Sequence, residues 1–379
     1  MTIAAIELFY LRAPIDEPVV SSIGRFTARQ SLLVRLGAED GAHGWGEIWC
    51  NFPEWGGAHR ARLVEQTLGA WYLGRPSDDP PALWAAARTA FHRIMIQSGE
   101  WGPVHQCMAG IDCALWDLVA RRRGLPLAAV LAGDTPDPAR RTLPAYASGI
   151  NPGDPVAQMQ RAREAGYRAF KLKLGFERDD RNLDAMTAAL GPGELLMVDV
   201  NQGYDTPTAR ARLPRLAERG VAWIEEPIAA DAPIDDWRAL AALSAVPLAG
   251  GENLTDEKAF ELMGAEAIFG IVQPDVAKWG GLSAGLRIAR RALAQGRRYC
   301  PHYLGGAVGL LHSAHLLAAA GGDGLLEIDC NPNPLREELL DLAPLDREGR
   351  FVLSDAPGSG PEPDAATLER FTESHFTVR

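Results

Sequence analysis

Cysteine is scarce in this chain: Cys50, Cys107, Cys113, Cys300 and Cys330 are five in number and form no CxxC pair. An odd count at that spacing argues against a disulfide framework, and the five are read as reduced and mostly packed. No stretch approaches the roughly 18 consecutive apolar residues of a membrane span. Residues 1–5 lack the basic-then-apolar order of a signal peptide, so the chain reads as soluble and cytoplasmic. Clustered positive charge is missing too. The net charge is -11 with a pI near 5.3, and the one basic run, Arg121-Arg122-Arg123, falls at an expected helix end. This argues against a nucleic-acid or anionic-membrane surface and favours a small-molecule partner.

What the chain does have is a series of polar residues at nearly constant intervals. From Lys171 and Lys173 it runs to Asp199, Glu225, Glu252, Asp275, His302 and Glu327, in steps of 23 to 27 residues after Lys173. Each follows a short apolar run, the least apolar being residues 297–301. One strand plus one crossover helix takes about 25 residues, and a (β/α) barrel builds its site from residues at the C-terminal ends of successive strands. With 379 residues, a barrel of about 250 leaves enough chain for a second domain.

Residues 1–48 read as antiparallel strands at 3–11, 31–36 and 44–48, with a turn at Glu39-Asp40-Gly41. Residues 14–29 are too long and too polar for a hairpin and are expected to be a binding loop or lid; residues 49–57 form a second, aromatic and glycine-rich loop. Helical patterns follow at 58–73, 80–97 and 104–122. From residue 143 the pattern alternates strand and helix, with helices at 155–165, 179–190, 206–219, 235–243, 255–263, 281–295 and 306–320. Gly191, Gly220, Gly264 and Gly296 stand where C-caps are expected. A Pro/Asn-rich exit at 330–334 leads to a polar tail expected to pack back on the first domain.

These residues resemble the enolase superfamily and, within it, the mandelate-racemase-like subgroup, over nearly the whole length. The pieces that carry the resemblance are Gly44-Trp45-Gly46-Glu47, Lys171-Leu-Lys173, Asp199-Val-Asn201, Glu225-Glu226-Pro227, Gly251-Glu252-Asn253, Gln273-Pro274-Asp275 ahead of Gly280-Gly281, Pro301-His302 and Leu326-Glu327. The resemblance implies a (β/α)7β modified TIM barrel over 141–334 with an α+β capping domain over 1–140, completed by 335–379. It implies one Mg²⁺ per active site held by Asp199, Glu225 and Glu252, a homo-oligomer, and cap loops 14–29 and 49–57 that choose a carboxylate substrate.

The family reaction removes the proton α to a carboxylate. Three carboxylates projecting to one point make a hard oxygen site for Mg²⁺, which neutralises charge developing on the substrate. Lys171 and Lys173, two apart on a strand, point the same way; by resemblance Lys173 is the base on one face and Lys171 contacts the substrate carboxylate. A neighbouring cation and the metal are expected to lower the Lys173 pKa. His302 and Asp275 form a dyad on the other face, the carboxylate orienting the imidazole. Relatives of the muconate-lactonising type carry lysine where Asp275 stands. Glu327 donates a proton or hydrogen bond to the substrate carboxylate. Asn201, Arg25 and Trp49 are candidate substrate contacts, Arg25 for a second acidic group. Glu226 is expected to face the helix layer, while Lys278 and Glu54 are singled out only by nearness; His312 and His315 read as helix packing. Dehydration of a sugar acid leads, with racemisation or epimerisation of a 2-hydroxy acid as the alternative. A metal-independent Schiff-base aldolase using Lys173 and a non-catalytic acid-binding barrel are the readings from other classes.

Overall fold

The computed structural model describes residues 1–21, 24–133 and 138–379. Its N-terminal part is an antiparallel sheet of β1 (Ile3–Ser21), β2 (Gly24–Ala38), β3 (His43–Ile48) and, from the far end of the chain, β13 (Thr372–Val378), in the order β13-β1-β2-β3. Here one expectation is corrected. Residues 14–29 are not a loop: β1 and β2 continue as a two-stranded ribbon pairing Pro14 with Ala28 and Val19 with Phe26. Four residues, 15–18, bulge opposite Thr27, and such a bulge bends a ribbon and increases its twist. Ser22 and Ile23 lie outside the described residues.

Helices α1 (Gly56–Leu63) and α2 (Gly69–Tyr72), joined by one π turn at Val64–Leu68, precede α3 (Pro80–Ser98), α4 (Trp101–Arg123) and α5 (Leu127–Leu131). The apolar stripe of α4, with Cys107, Ile111, Ala114, Leu115 and Leu118, is buried against the sheet. Contact is so close that a Cβ on Gly46 would sit 2.1 Å from Gly110 O, and one on Gly44 2.2 Å from Ala114 O. Only glycine fits either place. Glu47, next in the motif, is buried and accepts from Ser31 Oγ (2.7 Å) and from the backbone N–H of Gly306 (2.7 Å) and Gly309 (2.9 Å). Those amides open α12 (Ala307–Ala320), so a carboxylate from the first domain satisfies a helix N-terminus of the second.

The second part is eight parallel strands: β4 (Thr142–Ile150), β5 (Ala169–Lys173), β6 (Leu195–Asp199), β7 (Ile224–Glu225), β8 (Leu248–Gly250), β9 (Ile271–Val272), β10 (Arg298–Tyr299) and β11 (Leu326–Asp329). They pair in chain order, and β11 returns to pair with β4. Between β10 and β11, Leu325 N–H donates to Cys300 Sγ and Tyr303 N–H to Glu327 Oε2. Seven helices, α6 (Pro155–Glu164), α7 (Asp179–Ala189), α8 (Thr206–Glu218), α9 (Ile234–Leu243), α10 (Glu257–Ala265), α11 (Gly281–Ala294) and α12, cover the strands, making a (β/α)7β barrel. Asp154, Asp205 and Asp256 start α6, α8 and α10 by accepting from the N3 amides. At the C-termini, Gly220 and Gly296 take the left-handed conformation, but Gly264 lies inside α10 and Ala267 takes φ 55° instead. At Gly264 a Cβ would meet Gln295 Oε1 at 2.6 Å, so packing fixes that glycine.

The lumen is filled by one residue from the neighbourhood of each strand: Tyr146, Ala169, Met197, Trp223, Ala249, Ile271, Cys300 and Leu325. Two residues further along, on the same face, stand Ser148, Lys171, Asp199, Glu225, Gln273, His302 and Glu327, all buried. The apolar layer is thus the floor of a polar one. After residue 334 the chain is shared between the two parts, β12 (Arg350–Val352) pairing with β4 and β13 with β1. Helix α13 (Pro334–Glu337) precedes β12, and α14 (Ala365–Phe371) lies between β12 and β13. Among the described residues no helix is long and apolar enough to cross a membrane.

Candidate active site

Strand register sets the first contacts. Lys173 is the Cα partner of Asp199, and Asp199 of Glu225. Lys173 Nζ lies 2.5 Å from Asp199 Oδ2. Lys171 Nζ lies 2.7 Å from both Glu225 Oε2 and Glu327 Oε1, and 3.7 Å from Asp199 Oδ2. Glu327 also accepts from Ser148 Oγ at 2.5 Å. On the opposite side His302 Nδ1 meets Asp275 Oδ2 at 2.8 Å, while its Nε2 is 3.3 Å from Glu252 Oε2 and 4.0 Å from Glu327 Oε2. Asp275 Oδ1 is fixed by the N–H groups of Ala277 (2.8 Å) and Lys278 (3.1 Å), so the acid that orients the imidazole is itself oriented.

The three expected metal ligands do not close on a common point as they stand: among the described residues no three His, Cys, Asp or Glu side chains are so arranged. Each is turned to an ammonium instead, Asp199 to Lys173, Glu225 to Lys171 and Glu252 to Lys278. The donor set nevertheless suits Mg²⁺. All three are carboxylates, the acids from β6 and β7 are fully buried, and burial followed by the Asp199 charge pushes Glu225 up to about 7. A divalent cation would relieve that crowding. Glu252 is favoured as the anion: burial opposes ionisation, yet His302, Lys278 and Lys173 hold it well below the usual carboxylate range.

Among the protein's own charges, the lowering expected of Lys173 is not what results. Burial and the Lys171 charge push the ammonium down, but the carboxylates of Asp199, Glu225 and Glu252 together more than offset them, and the group is held above its ordinary value. Lys171 is raised in the same way by Glu225 and Glu327. His302 rises to about 9: burial works against the proton, and the carboxylates of Glu252, Glu327 and Asp275 restore it. Burial likewise opposes ionisation of Glu327, but the Lys171 and His302 charges bring it down to about 2.

Above these groups opens a cavity of about 360 Å³ lined by Lys173, Asn201, Glu252, Lys278, His302 and Trp49 at the base. Asn201 reaches it from a left-handed turn (φ 46°) after β6, its N–H on Asp199 Oδ1, rather than from the strand. Higher up stand Gln30, Asn51, Asn151, Gln202 and Asn331, with Phe26 and Phe52 as apolar faces. Arg25 is not among them. Phe26, Ala28 and Gln30 face the cavity, and alternation along β2 sends Arg25 outward, where it is exposed. Arg29 borders the cavity instead. Trp55 and Glu54 also stay outside, Trp55 62% exposed and Glu54 paired with Arg12. Glu226 does not enter the helix layer: it takes φ 39° and accepts from Asn253 Nδ2 on both oxygens.

The sequence singles out one site residue, Lys278, only by its nearness, and another, Ser148, not at all. Lys278 Nζ bridges Glu252 Oε2 and Asn253 Oδ1 (2.8 Å each) and lies 5.0 Å over the Trp49 ring. Its signal is its place three residues after Asp275, one turn on. Ser148 had no signal beyond lying two residues past Tyr146 on the first barrel strand. His312 and His315 are buried in α12; His315 bonds Ala128 N–H and Ser359 O.

Residues 5–132 match the family model described as "Mandelate racemase / muconate lactonizing enzyme, N-terminal domain", and residues 154–367 match "Enolase C-terminal domain-like". D-galactarolactone cycloisomerase of Agrobacterium fabrum is 31% identical, covering 98% of this chain and 99% of that one. L-talarate/galactarate dehydratase of Salmonella typhimurium is 33% identical over 80% and 72%. Among solved structures, a mandelate racemase/muconate lactonizing enzyme from Bordetella bronchiseptica is 44% identical with a TM-score of 0.89, covering 98% and 99%. A racemase from Streptomyces coelicolor with bound magnesium is 26% identical with a TM-score of 0.86, covering 98% and 99%. The chain belongs to the mandelate racemase / muconate lactonizing enzyme family of the enolase superfamily.

Proposed function

We propose that the protein is a Mg²⁺-dependent sugar-acid dehydratase, acting by α-proton abstraction and β-elimination. The observation that carries this reading is the cavity itself: two proton-transfer groups, Lys173 and His302, at the base of a wall of carboxamides. Side-chain amides donate and accept at once, which suits a row of substrate hydroxyls, and Phe26 and Phe52 offer apolar faces to C–H groups. The amide wall answers the low polarity of the 49–57 loop, which by itself favours a less hydroxylated acid.

In the proposed roles, Asp199, Glu225 and Glu252 hold one Mg²⁺, which when bound neutralises charge developing on the substrate carboxylate. Lys171 holds that carboxylate, and Glu327, braced by Ser148, joins it once it carries a proton to donate. Lys173 takes the α-proton from one face. The His302–Asp275 pair, favoured in its protonated form, gives a proton to the departing β-oxygen, so that water leaves and the enol product tautomerises to a 2-keto-3-deoxy acid. Asn201 and Trp49 line the substrate's path.

The same elimination with a ring oxygen as leaving group is cycloisomerisation, a second reading favoured by the full-length match to a cycloisomerase. Return of the proton from His302 instead would racemise or epimerise. Homo-oligomeric assembly and a cytoplasmic location belong to the same proposal. The deciding experiment is proton NMR of a panel of sugar acids, their lactones and 2-hydroxy acids with protein and Mg²⁺ in D₂O, beside Lys173→Ala and His302→Asn. A 2-keto-3-deoxy product supports dehydration and a ring-opened keto acid from a lactone supports cycloisomerisation. Deuteration at Cα with the skeleton retained supports racemisation. Activity that survives both substitutions and metal removal would overturn the mechanism.

A further inference from the structure

The upper cavity wall carries its own charge arrangement. Its single cation among the described lining residues is Arg29, because Lys173, Lys278 and His302 belong to the base. Arg29 is already engaged: Nη2 lies 2.9 Å from Asp329 Oδ2, and Nε donates to Pro332 O at 2.9 Å. Asp329 is two residues past Glu327 on β11, one step nearer the mouth on the same face. Its other oxygen accepts from Asn331 N–H (3.0 Å) and Nδ2 (2.7 Å), and Arg336 stands 3.9 Å from Oδ2.

The cluster is built in. Gly149, at φ 77°, leaves room for it, since a Cβ there would lie 2.4 Å from Asn331 Nδ2 and 2.7 Å from Asp329 Oδ1. Asn151 Nδ2 donates to Asn331 Oδ1 (3.2 Å) and continues the wall. Asp329 is 6% exposed, and Arg29 Nη2 is buried and held to it by charge without a hydrogen bond.

A substrate reaching this wall meets a neutralised ion pair and five carboxamides. A second carboxylate would be desolvated beside Asp329 with no free cation to receive it. Hydroxyls, or the ring oxygen and carbonyl of a lactone, find partners without that cost. Resting on the sugar-acid reading above, we propose that the Arg29–Asp329 pair is a specificity device that selects substrates with one carboxylate, an aldonic acid or the monolactone of an aldaric acid, and rejects the open aldaric acid.

The test follows α-proton exchange in D₂O by proton NMR, using Mg²⁺-loaded full-length protein. Aldonic acids and aldaric monolactones are compared with aldaric acids of the same configuration. Wild type is expected to favour the single-carboxylate member in kcat/KM by at least about tenfold, the scale of an unpaired charge at a binding surface. Asp329→Asn releases Arg29 as a carboxylate receptor and is expected to shift the ratio about tenfold toward the diacid. A wild-type preference for the diacid overturns the proposal without touching the sugar-acid reading. So does an unchanged ratio in a folded Asp329→Asn protein. Should that variant fail to fold, the wild-type ratio still decides. Exchange with no sugar acid at all overturns both.

Discussion

Lys173 and Asp199 face each other across neighbouring barrel strands, in register, with Nζ 2.5 Å from Oδ2. The residue proposed as base is therefore held charged by a residue proposed as metal ligand. Competition for Asp199 links metal binding to the availability of Lys173.

From that link, chelation removes activity twice over, by losing charge neutralisation and by returning Asp199 to Lys173. EDTA is expected to abolish α-proton exchange at every pH below the lysine range, and Mg²⁺ to restore it. Mg²⁺ at a hundred times its Kd should also stabilise the fold by about 2.7 kcal/mol, seen as a higher melting temperature. Borohydride trapping of Lys173 with substrate, indifferent to EDTA, would instead establish the Schiff-base aldolase.

Asp275→Asn keeps the shape of the dyad and removes its charge. His302 then loses one of the carboxylates that raise it to about 9, and the ring orientation is fixed by an amide of ambiguous direction. Turnover should fall by roughly a hundred- to ten-thousand-fold, with the alkaline limb of the pH–rate profile moving to lower pH. An unchanged profile would mean that His302 does not serve as the acid.

Stability should depend on pH through buried groups remote from the site. Burial brings His312 and His315 down to about 4. Folded values lie below unfolded ones, so the stability they contribute is complete above about 6.5 and is lost as pH falls toward 4, about 3 kcal/mol each. Asp112, raised to about 7 by burial, works the other way, gaining stability as pH falls below 7. Glu47, Glu225 and Glu226, also raised by burial, work in the same direction as Asp112, so the imidazole contribution is isolated by comparing wild type with His312→Leu: denaturant unfolding from pH 7.5 to 4.5 should cost the wild type more than the variant. An equal change in both proteins would sink this account.

Gly46→Ala should be among the most damaging substitutions in the first domain. The 2.1 Å approach to Gly110 O cannot be relieved by rotating a side chain, because the obstacle is backbone. A loss of about 3 kcal/mol or more is expected, measurable by thermal melting, with Gly110→Ala showing a comparable loss against Ile48 and Glu47. Near-wild-type melting of both would contradict the close packing of β3 on α4.

The barrel and most of its polar ring were legible because each strand end juxtaposes an apolar run with one functional side chain, a pattern that survives in one dimension. The ribbon at 14–29 was not. Its polar residues and Pro14 and Pro18 resemble a loop, and the four-residue bulge breaks the alternation that would have announced a strand. Arg25 and Arg29 share a side of β2 and differ in that Asp329 and Pro332 stand within reach of Arg29, which a linear reading does not show. Lys278 and Ser148 owe their places to a turn and to a neighbouring strand, relations a linear reading does not contain. The direction of the Lys173 shift depended on which opposite charge stood nearest, which is a matter of ångströms.

The pairing of β13 with β1 has a temporal side. Residues 3–21 leave the ribosome hundreds of residues ahead of their neighbour, residues 372–378. Throughout elongation the first domain therefore carries a long unpaired edge, a surface on which strands of other chains can add. Co-translational folding should proceed with the barrel largely assembled before the first sheet is sealed. A polysome stalled before residue 372 would hold the protein in its most aggregation-prone form, and a chaperone would have most to do there.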